Sequence, residues 1–192
     1  MKSTPNYRTP ILLLFMLLIV GLRVLAPLSA DFKLIANFSG IGAVALFGGA
    51  YFKNKINAFL LPVLVLFVSD LGLVLTMGVD YGFYSGWYYT YIAFLLIVLA
   101  AYLIIKKVNV QNVLTAGVVG VLIHWVVSDF GVWYGSPSYS QDLAGFWACL
   151  VKAIPFEIRF LEGTVIYGAL LFGAFEILKA KYPVLKLQTQ KL

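Results

Sequence analysis

From Trp87 to Ile105 the chain carries no charged residue. A run of roughly 20 apolar residues is what an α-helix needs to cross the ~30 Å hydrocarbon core of a bilayer. Five further runs have the same character: Pro10–Leu28, Leu34–Phe52, Ile56–Gly78, Val113–Trp133 and Leu161–Ala180. Six spans of ~20 residues would use ~120 apolar positions, and a 192-residue chain that is 62% hydrophobic supplies them. Backbone polar groups have no water to bond inside a bilayer, so such runs become helices. The expected fold is therefore an all-α integral membrane protein, one domain over 1–192 with six transmembrane helices. Charged residues make up 11% of the chain, against ~25% in soluble domains. That balance excludes a soluble globule, a disordered chain and a nucleic-acid-binding module. The one cysteine, Cys149, permits no internal disulfide and reads as a small apolar packing residue.

The net charge of +6 has a topological meaning. Lys2 and Arg8 precede the first run, Lys53 and Lys55 follow the second, and Lys106 and Lys107 follow the fourth. Lys179, Lys181, Lys186 and Lys191 follow the sixth, and no acid lies in these connections. The opposite side carries Asp31, Asp80, Asp142, Glu157 and Glu162 against Lys33, Lys152 and Arg159. Basic connections stay in the cytoplasm, which predicts both termini inside. Anionic lipid at the inner surface reinforces the arrangement. The first run is expected to be a retained helix: Arg23 interrupts it, and Leu28-Ser29-Ala30 fits a cleavage signature poorly.

Polar residues inside the runs are the candidates for function, because charge in a bilayer is expensive. Val68-Ser69-Asp70-Leu71-Gly72 recurs as Val127-Ser128-Asp129-Phe130-Gly131, on two runs expected to cross in the same direction. Leu46-Phe47-Gly48 is echoed by Leu171-Phe172-Gly173; parallel repeats of this kind occur in several transporter folds. At 1.5 Å rise per residue, Asp70 lies ~22 Å beyond Lys55, in the outer leaflet. Asp129 sits about 9 Å below the next outer connection, and Arg23 at a similar depth. Each should turn inward to a partner or to water. One reading is a structural Arg23–carboxylate staple; the other leaves a surplus acid for a cationic or donor-rich solute. His124, one turn before Ser128, reads either as an interior histidine or as part of that cluster.

Aromatics crowd the outer side: Tyr81, Phe83, Tyr84, Trp87, Tyr88, Tyr89 and Tyr91 in one stretch, Trp133, Tyr134, Tyr139 and Trp147 in the next. An interfacial belt accounts for part of this. The excess on one side predicts an aromatic pocket for a planar or cationic ligand. Gly135-Ser136-Pro137-Ser138 opens a connection that runs to Pro155. Within it, residues 142–154 are expected to form a short interfacial helix, and connections this long often act as lids. Small residues four apart, at Ser39/Ala43, Ala45/Gly49, Ala116/Gly120 and Ala169/Gly173, permit close helix contact, within the chain or with a partner.

Asn37-Phe38-Ser39-Gly40-Ile41-Gly42-Ala43, Leu46-Phe47-Gly48-Gly49-Ala50, the His124–Trp133 stretch, Ala153-Ile154-Pro155-Phe156 and Leu171-Phe172-Gly173 carry a resemblance. Over nearly its whole length the chain resembles an uncharacterised bacterial family of six-helix membrane proteins. That family is similar in size, span number and outer-leaflet pocket to the S components of energy-coupling-factor transporters. The resemblance implies the bacterial cytoplasmic membrane and capture of a vitamin, nucleobase-type compound or metal ion from outside. It also implies a transmembrane coupling subunit driven by two ATPases. Many S components carry an alanine-spaced motif on the first helix, which the leucine-rich Ile11–Leu25 stretch lacks. The chain has no Gly-x-x-x-x-Gly-Lys-Ser/Thr loop to hydrolyse ATP itself.

The leading expectation is thus a non-enzymatic subunit that binds a small polar organic solute, with no cofactor and no bound metal. Asp70, Asp129, Arg23, His124 and Ser128 would supply polar contacts, Trp87, Trp133 and Trp147 the walls, and Asn37 and Ser39 further contacts. One alternative is an intramembrane enzyme using Asp70 and Asp129 as a carboxyl dyad. Against it, no Gly-x-Gly-Asp, His-Glu-x-x-His or Gly-x-Ser-x-Gly motif is present. The other alternative is a membrane scaffold whose buried charges set helix register.

Overall fold

The computed structural model describes residues 7–25, 28, 39–52 and 54–186. Among these residues there are helices and no strand: α1 (Arg8–Leu25), α2 (Ile41–Tyr51), α3 (Lys55–Met77), the single turn α4 (Val79–Gly82), α5 (Trp87–Ile104), α6 (Val110–Trp133) and α7 (Leu143–Lys181). A 3-10 turn, Pro183–Leu185, follows. Arg8–Leu25, Lys55–Met77, Val79–Ile104, Val110–Trp133 and Leu143–Lys181 are each long and apolar enough to cross a membrane. Their outer faces show bare Leu18, Leu75, Leu143 and Ile177, a surface suited to lipid.

The short α2 is the axis of the bundle. It is apolar on every side, and a helix of that kind has to be buried. Ile41 through Gly49 are all buried, enclosed by α1, α3, α5, α6 and α7. Close approach depends on missing side chains. A Cβ on Gly48 would lie 2.2 Å from the Pro62 ring, and one on Gly49 would lie 2.6 Å from the Val98 carbonyl. A Cβ on Gly42 would meet Thr164 Oγ1 at 2.3 Å. The run expected over Leu34–Phe52 is thus helical over Ile41–Tyr51, while residues 34–38 lie outside the described part.

The expected interfacial helix over 142–154 and a separate last span over Leu161–Ala180 are corrected by α7, which is continuous from Leu143 to Lys181. Asp142 starts it by accepting the Gly145 N–H at 2.8 Å, a normal N-cap. Pro155 removes one helical donor, yet does not end the helix, because α6 runs alongside. Trp125 Nε1 donates to the Leu150 carbonyl at 2.9 Å, beside the Val151 carbonyl that Pro155 leaves without a helical partner. Down this antiparallel pair Phe130 meets Phe146 and His124 meets Glu157. The connection between the two helices shrinks to residues 134–142.

The two ends of the bundle differ in chemistry. Lys55, Lys106, Lys107, Lys179 and Lys181 cluster at one end with Arg8, which donates to the carbonyls of Leu185 and Tyr51. An aromatic group of Phe15, Phe47, Tyr51, Phe172 and Phe175 packs beneath them. The other end carries Trp87, Trp133 and Trp147.

Candidate functional site

Towards the aromatic end a cavity of about 370 Å³ lies among α1, α3, α5, α6 and α7. Its best-defined wall begins on α3. Ser69 and Asp70 are buried there at 0% and 4% exposure, too deep for an ionised acid to stand alone. Arg23, in the last turn of α1, donates Nη1 to Asp70 Oδ1 at 2.7 Å and to Ser69 Oγ at 2.5 Å. Tyr91 of α5 donates its hydroxyl to Asp70 Oδ2 at 2.8 Å. Both carboxylate oxygens are therefore filled, and three helices are tied at one level.

Two glycines place the aromatic side of the cavity. A Cβ on Gly82 would fall 2.5 Å from the Asp70 carbonyl, so only glycine lets α4 lie directly on α3, with Tyr81 and Tyr84 at the rim. Gly86 has a φ of 84°, and a Cβ there would fall 2.7 Å from the Gly131 carbonyl. This left-handed residue turns the chain into α5 against the end of α6. Trp87 and Tyr91, one helical turn apart, then stack edge-on with centroids 5.0 Å apart. Tyr84 reaches the Thr90 hydroxyl, which in turn meets Ser128 Oγ at 3.0 Å.

The opposite wall comes from α6 and α7. His124 Nδ1 lies 2.8 Å from Glu157 Oε1, and the imidazole stacks on Phe160 with centroids 4.2 Å apart. Arg159 also lines the cavity. The space thus has two polar pairs, Arg23–Asp70 and His124–Glu157, separated by aromatic surface. Among the described residues no group of three or more His, Cys, Asp or Glu is placed to hold a metal ion.

Of the residues singled out in the sequence, Arg23, Ser39, Asp70, Trp87 and His124 line this cavity. Asn37 lies outside the described residues. Ser128 is buried in the α5–α6 contact on Thr90. Asp129 turns to the α6–α7 contact, where its carbonyl accepts from Cys149 Sγ at 3.7 Å. Trp133 closes the 134–142 connection through Nε1 to the Ser140 carbonyl at 2.8 Å, and Trp147 is 63% exposed. The expected gathering of both aspartates about Arg23 is thus corrected: among the described residues Arg23 pairs with Asp70 alone, and Asp129 is not in the lining of the cavity. Thr90, Glu157, Arg159 and Phe160 add to the walls and were not candidates on sequence grounds, whereas Tyr91, also in the lining, belongs to the aromatic stretch expected to form a pocket. Tyr91 is one helical turn after Trp87, a spacing that signals a shared face. Glu157 was hidden by its assignment to an outer connection.

Over residues 3–185 the chain matches a family of unknown function, DUF6580. It belongs to that family. No curated protein and no solved structure matches it. The match spans every described helix of this DUF6580 member, so both walls of the cavity lie within the family region.

A second hollow of about 410 Å³ in this DUF6580 protein lies between α6 and α7 towards the lysine-rich end. Its lining is nearly all apolar, with Gly117, Gly168 and Gly173 among it. The small-residue pairs divide accordingly. Gly49 and Gly120 are used against Val98 and Ile97 inside the bundle, while a Cβ on Gly173 would meet nothing within 4 Å.

Proposed function

We propose that this protein is a membrane-embedded binding subunit that takes up a small polar organic solute, such as a vitamin or nucleobase-type compound, through the cavity at its aromatic end. The observation that carries this reading is the cavity itself. Its volume of about 370 Å³ falls in the range of small-molecule sites. Its lining also combines an aromatic side with a few convergent polar groups, as such sites do. Trp87, Tyr81 and Phe156 offer flat surface, while Arg23, Arg159, His124 and Glu157 offer hydrogen-bonding and charge. The enzyme alternative draws less support, because Asp129 is not among the cavity walls and no dyad with Asp70 forms.

In this reading the lysine-rich end faces the cytoplasm of a bacterium, following the positive-inside rule, and the aromatic end opens outward. The protein works in the manner of an S component, delivering its solute with a transmembrane coupling subunit and ATPases. Native mass spectrometry of protein purified in mild detergent tests this, with thermal shifts across a vitamin and purine panel. A retained small molecule, lost in Trp87→Ala, is the expected result. No retained molecule and no shift with any compound would reject it. A register-setting scaffold is the second reading, favoured by the complete satisfaction of Asp70. It predicts that a folded Arg23→Leu/Asp70→Leu protein keeps its cellular role.

A further inference from the structure

A glycine inside a helix costs about 1 kcal/mol relative to alanine, and close packing is the usual reason to keep one. Most glycines on α6 and α7 have that reason. A Cβ on Gly120, Gly131, Gly145 or Gly163 would come within 3.1 Å of another atom. Gly168 and Gly173 do not, since a Cβ there would meet nothing within 4 Å, and at Gly117 the first neighbour is 3.8 Å away. All three line the second hollow, of about 410 Å³. They keep open a space that this chain does not fill.

The hollow is long and thin. Its lining runs from Val110 to Val118 on α6 and from Leu161 to Glu176 on α7, about 12 and 22 Å at 1.5 Å per residue. Spread over that length, about 410 Å³ has a mean section of roughly 20–35 Å². A helix 10 Å across needs about 80 Å², so the slot is too narrow to seat a partner helix. Hydrocarbon carbons pack at ~4 Å, and a single acyl chain fits. Val113, Leu114, Val118, Val165 and Phe172 give such a chain an apolar wall.

One end of the slot is polar. Asn109 and Glu176 line it there, at the lysine-rich end. Glu176 Oε1 accepts from the Tyr51 hydroxyl at 2.6 Å and from Lys179, so this acid is matched within the chain. Lys106 and Lys107 immediately precede the lining residue Val108. Lys106 donates to the Tyr102 carbonyl at 3.2 Å. Lys107 is exposed, and among the described residues its ammonium makes no hydrogen bond or ion pair. Asn112 Nδ2 donates to the Lys107 carbonyl at 2.8 Å, fixing the backbone of that connection. A cation at the mouth, with an apolar length behind it, complements an anion that carries an acyl chain.

We propose that this hollow seats one anionic phospholipid, with an acyl chain between α6 and α7 and the phosphate at Lys106 and Lys107. Lysine at a helix end extends to the headgroup level while its stem lies on apolar surface, and basic pockets between membrane helices bind anionic headgroups. A zwitterionic lipid fills the slot as well but leaves Lys107 unmatched. The seated lipid bridges the two helices that carry His124 and Glu157 to the cavity. The seat requires only that the helices cross a bilayer and does not rest on the solute reading.

Native mass spectrometry tests it, on protein reconstituted in nanodiscs of equal phosphatidylglycerol and phosphatidylcholine. One phosphatidylglycerol should stay bound once the disc is stripped, preferred over phosphatidylcholine by roughly fivefold for each lysine engaged. Lys106→Gln/Lys107→Gln should erase the preference yet keep a bound lipid. Lys55→Gln, on α3 and outside the lining, should leave the preference intact. Gly168→Leu/Gly173→Leu should expel the lipid by filling the slot. The lysine variant leaves the helix contact untouched, so it decides the matter even where the leucine variant fails to fold. Equal retention of the two lipids by wild-type protein overturns the proposal, as does an undiminished preference in the lysine variant. So does a co-purified polypeptide, in place of lipid, that the leucine variant no longer carries.

Discussion

Arg23 and Asp70, 47 positions apart in the chain, meet at 2.7 Å with Asp70 almost wholly enclosed. The pair ties the end of α1 to α3, and Tyr91 adds α5. Removing one partner of a buried pair leaves an uncompensated charge, which typically costs roughly 3–5 kcal/mol. Arg23→Ala should therefore lower the melting temperature in detergent sharply. Arg23→Leu/Asp70→Leu should recover most of that loss, since apolar replacement of a buried pair is often neutral. Equal melting of the single and double variants would contradict the stapling role.

Gly49 and Gly173 are both helical glycines and should respond oppositely to alanine. At Gly49 the new methyl would sit 2.6 Å from the Val98 carbonyl and 2.8 Å from Ala101 Cβ, and overpacking of this kind costs about 1–3 kcal/mol. At Gly173 nothing lies within 4 Å, and the gain in helix propensity is up to ~1 kcal/mol. Thermal melts of the two variants check this, with Gly49→Ala lower than wild type and Gly173→Ala at or above it.

Asp142 gives a pH dependence of known sign. The Gly145 N–H, and after it the Ser140 hydroxyl, hold its carboxyl below the ordinary aspartate value. A depressed folded-state pKa contributes stability above the unfolded value, and that contribution is lost as pH falls through the folded one. The unfolded value is about 3.9, so the loss belongs to the acid side of it. Comparing melts of wild type and Asp142→Asn from neutral to acid pH isolates the effect: the gap between them should narrow as the cap protonates.

Arg8 pins the far end of the bundle. It donates to the Leu185 carbonyl at 2.5 Å and to the Tyr51 carbonyl at 2.9 Å, and its guanidinium lies 5.3 Å from the Phe175 ring centroid. Hydrogen bonds from charged groups are worth about 1.5–3 kcal/mol. Arg8→Ala should release the Pro183–Leu185 turn, seen as faster amide exchange at Val184–Lys186 with α3 and α6 still protected. Unchanged exchange there would contradict the pinning.

Depth was legible in the sequence; direction was not. Counting at 1.5 Å per residue sets Arg23, Asp70 and Asp129 at one level, and Arg23 does meet Asp70. The azimuth of Asp129 could not be counted, because α6 has no polar stripe to show which way it faces. Pro155 misled for a related reason. Its effect depends on whether a neighbour supports the adjoining carbonyls, and Trp125 lies 30 positions away. Glu157 acquires meaning only through His124 on another helix, so periodicity along its own helix cannot single it out.

The enclosure of α2 on all sides has a consequence for biogenesis. Of the helices that enclose it, α7 comes last in the chain and so leaves the ribosome after the others. Until then the nascent protein must shelter a short, oily segment that has no settled berth. Truncation after Trp133 should therefore leave that segment open to alkylation at an introduced Ala45→Cys, whereas the completed chain should shield the same thiol.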